Sequence, residues 1–158
     1  IALGVEPPEK DIMNHPPRKS TEGFFSGGLM WKIIFRGIFI GLSTLASFTT
    51  VMRIGGSLEA SRTAALITLV MSQLIHVFEC RSEYRSIFRM NPFGNMKLVL
   101  AVAVSFAALA AAVMLPQLQT VFETVSLNSN ELLTAFGFSA AVPLMSNIFG
   151  SLSEKRKK

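Results

Sequence analysis

Between residues 68 and 80 the chain sets out six side chains able to do chemistry: Thr68, Ser72, Gln73, His76, Glu79 and Cys80. On a helix turning about 100° per residue they share one arc of about 140°, with Leu66, Val70, Leu74 and Phe78 outside it. The surrounding residues from Thr63 to Phe78 are otherwise apolar. A polar side chain at membrane depth is costly, so such an arc turns toward protein, water or a solute. Gln73, in the middle of this run, is open to two readings. Its carbonyl oxygen suits a hard cation, which prefers oxygen ligands, or its amide bonds a neighbouring helix. His76 reads first as a packing or hydrogen-bonding group and only second as a ligand or proton relay. Glu79 opens the charged stretch "ECRSEYRSIFR" and is expected to be solvated.

Little else in the chain suggests chemistry. It holds no glycine loop to cradle a phosphate, no Cys/His cluster with metal-ligand spacing and no nucleophile paired with a base. "SGG" at Ser26 to Gly28 is a flexible approach to the first apolar segment. The single cysteine, Cys80, permits no internal disulfide. No catalytic residue and no bound cofactor is expected within this chain.

The elements that position the arc follow from composition. Half of the 158 residues are hydrophobic and 16% are charged, against roughly 25% charged in an ordinary soluble domain. "LVLAVAVSFAALAAAVML", from Leu98 to Leu115, has no charge and only Ser105 as a polar interruption. At ~1.5 Å per residue it covers most of a ~30 Å hydrocarbon layer. Three other stretches have similar length and less purity; the last contains Pro143 and Asn147, which a spanning helix tolerates when neighbours satisfy the freed backbone groups. The expected fold is all-α, a transmembrane bundle of four spans at about 30–52, 63–79, 96–115 and 131–152. Residues 1–28 read as the end of a preceding helix plus a Pro-rich loop, and 29–158 as the membrane domain with a basic tail. The first long apolar run starts near Leu29, too late for a signal peptide. The start at "IAL" without an initiator methionine suggests a piece of a longer chain.

Positive charge sets the expected direction. Lys10, Arg18, Lys19, Lys32 and Arg36 accompany the first span, Arg81, Arg85, Arg89 and Lys97 the second connection, and Lys155 to Lys158 the tail. Only Arg53 and Arg62 fall on the other side, a division of 13 to two. Positive residues are retained in the cytoplasm, so both termini are expected there. The net charge of +5 therefore points to topology and anionic lipid. Nucleic acid is not an expected partner, since no aromatic residues are interleaved with the "KRKK" tail to stack bases. Gly37 and Gly41, one turn apart in "GIFIG", could let another helix backbone approach closely.

"ALGVEPPEKDIM" followed by "NHPPRK" resembles the end of the sixth transmembrane helix and the next cytoplasmic loop of type II P-type cation pumps, most closely their calcium-ATPase branch. "FRMNPFGN" resembles the stretch before the ninth helix of that family. The resemblance implies ATP-driven cation export, with Mg2+-ATP and Ca2+ handled by the parent pump and the catalytic domains upstream. It implies integral membrane localisation, and partnership with the remaining transmembrane helices, the phosphorylation domain and membrane lipid. It places Pro7, Pro8, Glu9 and Asp11 in a loop coupling the phosphorylation domain to the membrane, although Asn14 and His15 depart from the family's charge pattern. Gln73 falls where the eighth helix contributes to a cation site. Reticulum calcium pumps have glutamate there and plasma-membrane calcium pumps glutamine, so the resemblance points to the plasma membrane. The rivals are a pump of the same family for Na+, Mg2+ or Mn2+, and a free-standing four-span scaffold.

Overall fold

A computed structural model describes residues 29–81 and 94–155, with side chains from Met30 to Arg81 and from Gly94 to Met145. It contains α1 (Leu29–Arg53), α2 (Leu58–Glu79), α3 (Met96–Met114), α4 (Pro116–Phe122) and α5 (Ser129–Lys155). There is no strand among the described residues, as an all-α chain requires. Among the described residues three helices, Met30–Arg53, Leu58–Glu79 and Met96–Met114, are long and apolar enough to cross a membrane. Pro7, Pro8, Glu9 and Asp11, expected from the resemblance to form a coupling loop, lie outside the described residues.

The α1–α2 hairpin is closed by backbone chemistry. Gly55 takes φ +92°, a left-handed value that glycine adopts at no steric cost. The Gly56 N–H donates to Val51 O at 3.0 Å and the Gly55 N–H to Met52 O at 3.4 Å, the paired bonds of a Schellman end. A Cβ on Gly56 would sit 2.6 Å from Val51 Cγ1, so the turn admits no larger residue. Ser57 then caps α2 by accepting from the Ala60 N–H at 3.1 Å. This makes α2 begin five residues before the apolar stretch expected at 63, because the cap and not hydropathy sets the helix end.

Asn95 caps α3 through the Leu98 N–H. Leu115 is extended at ψ 121° ahead of Pro116, which ends α3 and starts α4. The expected spans at 96–115 and 131–152 leave 116–130 as a connection; part of it is helical, and Pro116 at the helix start is the sequence signal for α4. Glu123 at φ 52° ends α4. The strand-like return is pinned where the Val125 N–H donates to Thr63 Oγ1 at 3.1 Å and Thr124 Oγ1 donates to Ala112 O. Glu131 then accepts from the Asn128 N–H at 2.7 Å, fixing the first turn of α5.

α1, α2 and α5 pack on one another, and α3 rests on α4, which follows it, and on α2. Their shared core is made of small and branched residues: Val51, Ala60, Ala64, Ile67, Val113 and Ala135. Small residues let helix backbones approach, which matters where lipid offers no hydrophobic drive for association. Buried polar groups join them. Thr68 Oγ1 lies 2.8 Å from Ser47 Oγ, 2.9 Å from Ala64 O and 3.2 Å from Ala135 O, tying α2 to both α1 and α5. Its single proton goes to a carbonyl while the Ser47 hydroxyl can donate to it.

Candidate functional site

The polar arc of α2 is divided by the packing. Thr68 and Ser72 turn inward and are buried, whereas Gln73 faces out. From Thr63 to Glu79, Gln73 is the one residue of α2 that stands exposed. Its amide makes no hydrogen bond with another described residue. With α2 starting at Leu58, Gln73 lies roughly 9 Å along the axis from Glu79 and 22 Å from Leu58. It is nearer the Glu79 end than the mid-span position expected. Beside it, the Ser72 hydroxyl is buried with no hydrogen-bond partner among the described residues.

One turn further, His76 Nδ1 lies 3.0 Å from Glu79 Oε2, and Arg36 Nη2 of α1 lies 3.6 Å from the same oxygen. Cys80 Sγ is 3.6 Å from His76 Nε2. Glu79 was expected in solvent; its side chain is instead only 6% exposed. The reason is the antiparallel hairpin, which brings the start of α1 and the end of α2 to one level, where a carboxylate and a guanidinium desolvate together. Arg36 near the start of one apolar stretch and Glu79 at the end of the next was the available signal. His76 has the hydrogen-bonding role read from sequence. The cluster fastens α1 to α2 just beyond Gln73.

Gly37 and Gly41 have open space where a Cβ would point, with nothing described within 4 Å. At these two positions that face of α1 is met by no described residue. Among the described residues no three His, Cys, Asp or Glu side chains gather to hold a metal. A cation at Gln73 would need most of its oxygen ligands from elsewhere. Chemically the arrangement offers one neutral oxygen on a firmly seated helix, presented away from the chain's own core.

α1 and α2 form a hairpin of membrane-length helices that buries Ser47, Thr68 and Ser72 and leaves the Gln73 amide exposed. The family described as cation transporting ATPase, C-terminus, matches residues 1–151, and the chain belongs to that family. It is 39% identical over 158 residues to a calcium-transporting ATPase of Bacillus subtilis, covering 99% of this chain and 17% of that protein. A calcium-transporting ATPase of Listeria monocytogenes is 33% identical over 156 residues, covering 98% of this chain and 17% of the relative. The mouse calcium-transporting ATPase type 2C member 1 is 29% identical over 157 residues, at 99% and 17% coverage. The chain thus spans about a sixth of the length of these relatives.

Proposed function

We propose that this chain is the C-terminal membrane module of an ATP-driven pump that exports a cation, and that the cation is Ca2+. The observation that carries the proposal is the exposed amide of Gln73 on a helix whose other residues from Thr63 to Glu79 are covered or half covered, in a chain whose relatives are named as calcium-transporting ATPases. An exposed amide at membrane depth is costly against lipid, and a site completed by other helices of the pump removes that cost. Gln73 supplies one neutral oxygen to the cation. The remaining ligands, and the site for Mg2+-ATP, belong to parts of the pump outside this chain.

The rest of the module supports that site. α1, α2, α3 and α5 form four spans with both termini in the cytoplasm, a topology supported by the 13-to-two division of Lys and Arg. The open face of Gly37 and Gly41 receives another helix of the pump. Pro7, Pro8, Glu9 and Asp11 form the turn that passes phosphorylation to the membrane helices, two carboxylates on a proline-stiffened loop being suited to a basic or hydrogen-bonding surface. The parent pump resides in the plasma membrane.

The test is uptake of radiolabelled Ca2+ into inside-out vesicles carrying the full-length protein. ATP-dependent accumulation that is discharged by a calcium ionophore is expected. ATP-dependent uptake of Mn2+ or Na+ with none of Ca2+ would transfer the proposal to that cation, and no uptake of any would refute it.

A further inference from the structure

At the far end of α3 from Lys97 the chain builds a short helix that the cation site does not use. α4 reads "PQLQTVF", and Leu118, Val121 and Phe122 fall within one arc of about 100° on it. Gln117, Gln119 and Thr120 lie outside that arc. Val121 is 72% exposed and Phe122 58%. The helix is held close to α3 at both ends. Leu115 and Pro116 join the two directly. The Gln119 side-chain amide donates to Val113 O, and to Ser126 Oγ at 3.0 Å. Beyond the left-handed turn at Glu123, Thr124 Oγ1 donates to Ala112 O. α4 therefore stays at the level of the last turn of α3.

We infer that α4 lies in the membrane boundary at this end of α3, with Leu118, Val121 and Phe122 set among phospholipid acyl chains. Level is the first argument. Lys97, the charge at the start of α3, belongs at or beyond one edge of the hydrocarbon. Ala112 lies roughly 22 Å further along the helix, within a layer of ~30 Å. Groups bonded to Ala112 and Val113 are thus held below the opposite surface. Composition agrees: no charged residue interrupts the chain from Leu98 to Phe122, and the next residue, Glu123, is exposed. The polar groups at this level bond within the chain, as a water-poor depth requires: Gln119 and Thr124 as above, and Thr120 Oγ1 to Pro116 O at 3.1 Å. An amphipathic helix in such a boundary buries its apolar face by about 5–10 Å. Helices that pack closely in membranes meet through small residues; this face is bulky and continues the exposed Met114 and Leu115, which favours lipid as its occupant. The inference rests on the proposed pump module for its orientation, which makes this the outer leaflet.

Collision accessibility of nitroxide labels on the full-length protein, in vesicles of phosphatidylcholine, tests it. Val121→Cys and Thr120→Cys are labelled one at a time in a Cys80→Ser background, and the signal of the labelled background protein is subtracted. The label at 121 should be reached readily by dissolved oxygen and poorly by a water-soluble nickel chelate, at a depth of about 5–10 Å into the boundary. The label at 120, on the polar side, should show the reverse order. Adding phosphatidylglycerol to the vesicles should leave both depths unchanged, since α4 carries no Lys or Arg to draw anionic lipid. If Val121→Cys does not fold, Phe122→Cys takes its place with the same expectation. A label at 121 that meets the nickel chelate as readily as the one at 120 would put α4 in water and overturn the inference. A label reached by neither reagent would overturn it too, showing that another helix of the pump covers this face. A topology reporter at Asn128 found in the cytoplasm would overturn the orientation of the pump module while leaving the label depths in place.

Discussion

α2 and α3 are both long enough to span a bilayer, and they are built in opposite ways. α2 carries hydroxyls, an amide, an imidazole and a carboxylate, and is packed against α1, α5 and α3. α3 is the most apolar of the three candidate spans and buries only Leu98, Ala112 and Val113. In water the more apolar helix would be the more deeply buried. In lipid the order reverses, because acyl chains solvate leucine as well as protein does. Polar side chains are what must be hidden or given a function. α3 thus has the composition and exposure suited to lipid, and α2 those of an organising element.

Substitution can break this contrast. The largest effect is expected at Thr68, which is fully buried and placed against α1 and α5. Thr68→Leu adds bulk to a tight interface and removes the hydroxyl, and should lower stability by about 3 kcal/mol. A thermal-shift measurement in detergent on the full-length protein would read it. Ser72→Ala should act in the opposite direction, raising stability by about 1 kcal/mol, since it removes a buried hydroxyl that has no partner among the described residues. Leu100 of α3 is 66% exposed, and Leu100→Ala should change stability by no more than about 0.5 kcal/mol. A loss at Leu100 comparable to that at Thr68 would show that α3 is packed against protein rather than lipid.

Much of this contrast was legible in the residues. The uninterrupted apolar run of α3 and the polar arc of α2 both follow from periodicity, and the all-α class follows with them. What periodicity could not supply was the inward side of the arc. Thr68 and Gln73 fall within the same sector, yet one is buried and the other exposed, because burial depends on where α1 and α5 lie. The same limit explains Glu79, whose desolvated contact with Arg36 exists only once the hairpin is closed. It also explains α2's early start, which Ser57 sets as a cap against the hydropathy. The Schellman turn at Gly55 and Gly56 had a visible sequence signal in the glycine pair, but its hydrogen bonds belong to the closed hairpin.

Gln73 carries the central claim, that α2 presents a ligand to a cation site completed by the rest of the pump. The direct measurement is a calcium titration of ATPase activity in the full-length protein bearing Gln73→Leu, with thermal stability measured alongside. Leucine keeps similar bulk and removes the oxygen. The expected result is a midpoint displaced to higher Ca2+, with expression, ATP affinity and thermal stability little changed. An unshifted midpoint with stability lowered by about 0.6 to 2 kcal/mol would contradict the claim, since that is the loss of one interhelical hydrogen bond in a membrane.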